Sequence, residues 1–152
     1  MKIEKFEEMK VWQEARTFCS SIYKLTSKGN FVKDYGMKDQ IQRASISIIT
    51  NISEGFERDS NNEFVKFLNY SKGSAGEVRA LLYIALDLNY ISELEFKENY
   101  LKSISIITQL SNFIKYLKVY GRAGQRCKQC GGLVKKMRLG GRGAHWCDHC
   151  QK

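Results

Sequence analysis

Apolar residues recur at three- and four-residue spacing through the first 120 positions, the pattern of helices that each bury one face. The first run predicts a helix from about Glu7 to Lys28, with Trp12, Ala15, Phe18, Cys19, Ile22 and Leu25 on one stripe. Gly29-Asn30 closes it. A second helix, from about Tyr35 to Phe56, aligns Ile41, Ala44, Ile48 and Ile52 and leaves Ile46 and Ile49 to the side. Ser60-Asn61-Asn62-Glu63 reads as a capping box, so it predicts the start of a third helix, which carries Phe64, Phe67, Leu68, Ala75, Val78, Leu82, Ala85 and Leu88 to about Asn89. A second box, Ser92 to Glu95, opens a fourth helix through Leu101, Ile104, Ile107, Leu110, Ile114 and Leu117, with Gly121 closing it. Ile106 and Phe113 fall beside that stripe. Short connections force antiparallel neighbours. The expected fold is all-α, an up-down-up-down four-helix bundle over residues 1–120.

After Gly121 the period changes. Residues 121–126, Gly-Arg-Ala-Gly-Gln-Arg, read as a short flexible linker. Residues 127–152 hold two Cys-x-x-Cys knuckles, Cys127/Cys130 and Cys147/Cys150, with sixteen residues between them. Two knuckles at this separation supply four thiolates to one tetrahedral ion. Zn²⁺ is the expected cofactor, because it suits four soft ligands and brings no redox chemistry. With no open coordination position the site should be structural. Disulfides or free thiols are the alternative. Leu133 to Leu139 and Ala144 to Trp146 predict two short strands turning at Gly140-Gly141, a small zinc-bound β-hairpin. So short a segment buries little, and metal binding of roughly 10–16 kcal/mol would supply its folding energy. His145 and His149 are read as bystanders, and Trp146 as packing more than base-stacking.

Composition adds a soluble, intracellular expectation. There is no run of eighteen apolar residues and no signal-peptide pattern, so a cytoplasmic protein without membrane association is expected. Five cysteines leave one, Cys19, outside the knuckles. The formal charge of +9 is uneven: residues 1–121 hold 17 Lys and Arg against 15 Asp and Glu, while residues 122–152 hold 8 against 1. That density suits a polyanion; a solubilising tail is the bland alternative.

Cys-x-x-Cys, sixteen residues, then Gly-Gly-Arg-Gly-Ala-His-Trp-Cys-Asp-His-Cys-Gln resembles the C-terminal zinc finger of formamidopyrimidine-DNA glycosylases. In that family the finger is a DNA-binding β-hairpin, and the Arg of the Gly-Arg-Gly turn contacts phosphate. The resemblance gives that role to Arg142. Lys135, Lys136 and Arg138 are further candidates for phosphate contact. The catalytic Pro-Glu N-terminus of the glycosylases and their helix–two-turn–helix domain have no counterpart here, so no repair chemistry is expected.

A second resemblance covers residues 6–120. Met9-Lys10-Val11-Trp12-Gln13, Tyr35-Gly36-Met37, Gln40-Ile41-x-Arg43-Ala44, Asn51-Ile52-Ser53-Glu54-Gly55 and Glu63-Phe64-x-x-Phe67-Leu68 are similar to the four-helix family of 23S rRNA intervening-sequence proteins. Ile49 stands where that family usually has Pro, which implies a straighter second helix. These bacterial proteins resemble the accessory protein of diversity-generating retroelements, a homopentamer that binds nucleic acid and partners a reverse transcriptase. The resemblance therefore implies a homopentamer and no enzymatic activity. The leading expectation is a non-enzymatic, oligomeric nucleic-acid binder that presents basic fingers to DNA or RNA. The alternative is an oligomeric scaffold, or a reverse-transcriptase accessory protein, whose finger docks a protein. Gly73 and Gly76, within the third helix, are expected to permit close helix approach, and Arg43 to pair with Glu54 or Glu77 or to reach RNA.

Overall fold

The computed structural model describes residues 3–58, 60–139 and 142–151. Four helices, α1 (Lys10–Leu25), α2 (Tyr35–Phe56), α3 (Asn61–Asp87) and α4 (Glu93–Val119), precede a two-stranded antiparallel hairpin of β1 (Val134–Leu139) and β2 (Arg142–Cys147). The chain divides into two compact units, Met1–Leu110 and Ser111–Lys152, and the division falls inside α4. Among the described residues no helix is long and apolar enough to cross a membrane.

In the first unit the helices alternate in direction, and the cross-helix hydrogen bonds record it. Trp12 Nε1 donates to Ser53 Oγ at 2.8 Å and Gln42 Nε2 donates to Thr26 Oγ1 at 2.7 Å, so α2 descends as α1 climbs. Ser71 Oγ donates to the Ile48 carbonyl at 2.8 Å, and Gln40 donates to Glu77, which sets α3 against α2. Ser21 Oγ donates to Asn99 Oδ1 at 2.9 Å, and Lys28 pairs with Glu95, which closes α4 onto α1. Tyr83 packs on Phe96 with ring centroids 4.8 Å apart, joining α3 to α4.

The buried positions keep a four-three rhythm. On α1 they are Val11, Ala15, Phe18, Ile22 and Leu25. On α3 they are Phe64, Leu68, Ser71, Ala75, Val78, Leu82 and Ala85. This is the spacing of near-parallel helices meshing along one seam. α2 buries the four positions expected, Ile41, Ala44, Ile48 and Ile52, together with Ser45 and Gly55.

Several details depart from the sequence reading. α1 is shorter than expected, because Phe6–Glu8 forms a separate 3-10 turn and Met9 takes an extended backbone at its N-cap. On α4 the stripe has a different phase. Ile106, expected to be lateral, is 1% exposed, whereas Leu101, expected in the core, is 56% exposed. The buried line is Asn99, Ser103, Ile106, Leu110 and Ile114. Polar residues hold two of its places, so an apolar count misses them. Asn99 Nδ2 donates to the Glu95 carbonyl at 2.8 Å and Ser103 Oγ to the Tyr100 carbonyl at 2.6 Å, which removes the cost of burying them.

The two capping boxes also separate. At α4 the box forms: Ser92 N–H donates to Glu95 Oε2 at 2.9 Å and Glu95 N–H to Ser92 Oγ at 3.3 Å. At α3, Ser60 is the N-cap residue but makes no side-chain cap bond. An unanticipated cap opens α2, where Met37 N–H donates to Asp34 Oδ1 at 3.0 Å. Glycine roles differ as well. A Cβ on Gly73 or Gly76 would meet nothing within 4 Å, so neither marks a close helix approach. A Cβ on Gly55 would lie 2.6 Å from Phe67 Cβ and 2.9 Å from Phe64 Cδ2; this is the glycine that packing requires. Arg43 pairs with Asp39 one turn back, at 3.1 Å, and not with Glu54 or Glu77.

Candidate metal centre and basic hairpin

The second unit has its own small core of Val119, Cys127, Val134 and Cys147, with Cys150 packed against it. Val119 is the last residue of α4, so the helix end and the hairpin share apolar contacts. The segment between them is tied down by hydrogen bonds. Gly124 N–H donates to the Val134 carbonyl at 2.8 Å and Val134 N–H to the Gln125 carbonyl at 2.9 Å. The Arg122 guanidinium donates to the carbonyls of Lys118, at 3.2 Å, and Arg126, at 2.6 Å. Its five fixed donors suit it to clasping two turns of backbone.

Each knuckle is a backbone turn that brings two sulfurs to one side. In the first, Gly131 N–H donates to the Cys127 carbonyl at 2.9 Å and Cys127 N–H to the Gly132 carbonyl at 2.6 Å. Gly131 sits at φ +76, a left-handed conformation that favours glycine. In the second, the Cys147 carbonyl accepts from Cys150 N–H at 3.2 Å and Gln151 N–H at 2.9 Å, while Cys147 N–H donates to Gln151 Oε1 at 2.8 Å. All four sulfurs then lie within 4.8 Å of one another, and no disulfide joins them. Cys127 and Cys150 Sγ are 3.9 Å apart, and Cys130 and Cys147 Sγ 3.3 Å. A tetrahedral ion about 2.3 Å from each thiolate would space them about 3.8 Å apart. The four residues fit such an ion.

The protons are unequally held. The backbone N–H groups of Gln129 and Cys130 draw the Cys127 thiol down to about 6. The Cys130 sulfur, then burial, push Cys150 up to about 12. Four thiolates this close repel one another, and a dication removes that repulsion as it displaces the protons.

The hairpin register fixes which residues share a face. Val134 pairs with Cys147, Lys135 with Trp146, and Lys136 with His145. Alternation puts Lys135 and Trp146 on the face opposite the Val134–Cys147 core. There Lys135 pairs with Asp148, which also accepts from Trp146 Nε1 at 2.6 Å. Lys135, Trp146 and the lone acid thus hold one another, and the lysine lowers the Asp148 carboxyl. Lys136 is exposed, and no carboxylate partner is found for it among the described residues. Arg138 stands opposite Gly143 and Arg142 opposite Leu139, at the far end of the strands. The side chains of both arginines, and the Gly140-Gly141 turn, lie outside what the structure describes. His145 faces Tyr120 edge-on at 5.3 Å, and its Nδ1 is buried with no hydrogen-bond partner among the described residues.

Sequence reasoning missed Val119, Tyr120, Arg122 and Asp148. Asp148 carried a signal, as the single acid among ten Lys and Arg in residues 111–152. A lone carboxylate in so basic a segment is expected to find a partner.

A four-helix bundle joined to a hairpin with four converging cysteines is therefore the class of protein this structure defines. The model of the 23S rRNA-intervening sequence protein family matches residues 7–112, and the chain belongs to that family. A second model, the zinc finger found in FPG and IleRS, matches residues 124–152. Formamidopyrimidine-DNA glycosylase of Streptococcus thermophilus is 57% identical over 37 residues, which are 24% of this chain and 14% of that protein. The Exiguobacterium glycosylase is 52% identical over 40 residues, 26% of this chain and 14% of its own length. The chain thus spans about a seventh of the curated relatives it matches. A Bacteroides thetaiotaomicron protein of unknown function, from the S23 ribosomal protein family, superposes with a TM-score of 0.64 at 28% identity. That match covers 69% of this chain and 98% of the other.

Proposed function

We propose that this chain is a non-enzymatic nucleic-acid-binding protein, in which Cys127, Cys130, Cys147 and Cys150 hold Zn²⁺ and the hairpin it folds presents cations to phosphates. The ion would supply structure only, since four thiolates leave it no open position. Charge carries the reading. Residues 111–152 hold ten Lys and Arg against one acid, while residues 1–110 hold fifteen of each. The likeness to glycosylase fingers supports nucleic acid as the partner of that charge. Lys136, Arg138 and Arg142 are assigned to phosphate contact, with Lys135 joining when its exposed pair with Asp148 opens. Such exposed pairs are worth little, because solvent screens them. The bundle serves as the assembly module, a homopentamer by family resemblance, which would multiply weak finger contacts.

The test is binding of the full chain to DNA and RNA across salt concentrations, with Lys136, Arg138 and Arg142 each changed to Glu. The slope of log affinity against log salt should shrink by about 0.7–0.9 for each phosphate that a variant no longer neutralises. Unchanged affinity and slope, with zinc content intact, would remove the hairpin from binding. Native mass tests the pentamer separately.

A further inference from the structure

The C-terminal unit carries a second surface that phosphate contact does not explain. Phe113, Tyr116, Tyr120 and His145 form a continuous series of rings. Phe113 and Tyr116 lie 6.4 Å apart and nearly parallel, Tyr116 and Tyr120 5.2 Å apart, and Tyr120 and His145 5.3 Å apart. The first three recur at three- and four-residue spacing on the last turns of α4 and so share one side of it. They are not core. Tyr116 is 37% exposed and Tyr120 46%. Among the described residues of the unit, the buried positions go instead to Ile114, Val119, Cys127, Val134 and Cys147.

A cation stands at the hairpin end of the series. Lys136 lies opposite His145 in the hairpin, whereas Lys115 and Lys118, one and two positions from the tyrosines, fall on the other side of α4. Among the described residues of the unit, only Asp148 offers a carboxylate, and it is engaged by Lys135. At the end of the series stands His145, whose buried Nδ1 has no hydrogen-bond partner among the described residues.

Exposed rings in a unit with ten Lys and Arg against one acid suit a polymer with both π-faces and phosphates available. A duplex keeps its base faces stacked inside and offers only phosphates and groove edges. A single strand offers both. We infer that Tyr116, Tyr120 and His145 form a stacking platform that makes single-stranded nucleic acid the preferred ligand of the hairpin unit. This rests on the nucleic-acid reading above and narrows it to one strand state.

The experiment uses the full-length, zinc-loaded chain with a single-stranded oligothymidylate, a duplex of equal length, and an abasic strand of the same backbone. The wild-type chain should bind oligothymidylate roughly 5- to 100-fold more tightly than the abasic strand. Tyr116→Leu with Tyr120→Leu should remove most of that difference and leave duplex binding within about two-fold, while Tyr120→Phe, which keeps the ring, should behave as wild type. Equal affinity of the wild-type chain for the oligothymidylate and abasic strands would overturn the platform and leave phosphate binding standing. So would equal weakening of single-strand and duplex binding in the leucine variant, or a changed native mass, which would place the tyrosines in a subunit contact. Wild-type protein that binds none of the three at low salt would instead defeat the nucleic-acid reading itself.

Discussion

The two units of this chain are stabilised by different means. Residues 1–110 balance fifteen cations with fifteen acids and fold by meshing helices whose buried seams are mostly apolar. Residues 111–152 hold ten cations, one acid, and a core in which two of the four members are cysteines. The first unit has enough buried surface to stand on packing. The second is too small and too highly charged to do so, and its sulfurs are arranged for an ion to complete it. The proposed function follows the same line, since it assigns contact with a polyanion to the cationic unit.

The largest expected effect breaks the comparison at the metal. Chelation, or Cys147→Ser, should unfold the hairpin, because it removes the roughly 10–16 kcal/mol that a structural ion contributes. Amide resonances of residues 111–151 should collapse while those of α1, α2 and α3 keep their positions. Collapse of the bundle's resonances as well would show that the units do not fold separately.

Next comes packing in the neutral unit. Gly55→Ala should lower stability by about 1–3 kcal/mol, since the added methyl meets Phe67 and Phe64 well inside contact distance. Gly73→Ala, with open space around it, should raise stability by about 1 kcal/mol. Denaturant midpoints of the two variants should move in opposite directions. A destabilised Gly73→Ala would mean that a neighbouring subunit occupies that space.

A smaller effect concerns Glu95. Its pair with Lys28, then the Ser92 N–H, hold its carboxyl down to about 2 from the ordinary 4.5. A depressed carboxylate stabilises the fold above its unfolded value and ceases to do so as pH falls through its folded one. That contribution should therefore be complete above about pH 5 and disappear between about pH 4.5 and 2. Because Lys28 is well exposed, solvent weakens the pair, and Glu95→Gln should cost only about 1 kcal/mol at neutral pH. Thermal melts of both proteins, at neutral pH and at pH 2, should differ only at neutral pH. The smallest effect separates the two capping boxes: Ser60→Ala should change stability by less than about 0.5 kcal/mol, and Ser92→Ala by about 1 kcal/mol.

Much of this architecture is legible from residue spacing. The four-three rhythm of Ala15, Phe18 and Ile22, and of Ile41, Ala44 and Ile48, predicts helices that bury one side. The paired knuckles predict one four-sulfur site, and the sulfurs do converge. An apolar count sets α4 out of phase because Asn99 and Ser103 are buried. Their hydrogen bonds to main chain and to Ser21 make that burial acceptable, and such a count has no access to those partners. Ser60 and Ser92 present the same motif, yet only Ser92 caps through its side chain. The motif states a capacity, and local backbone geometry decides its use.

Sequence alone determined the helical period, the four cysteines that converge and the sign of the charge, because each depends on residue type and short-range spacing. Tertiary structure decided which glycine is indispensable, which face of α4 turns inward, and that Val119 and Arg122 belong with the hairpin. Those outcomes depend on which surfaces meet. Such meetings join residues far apart in the chain, as Gly55 joins Phe67, and no local pattern encodes them.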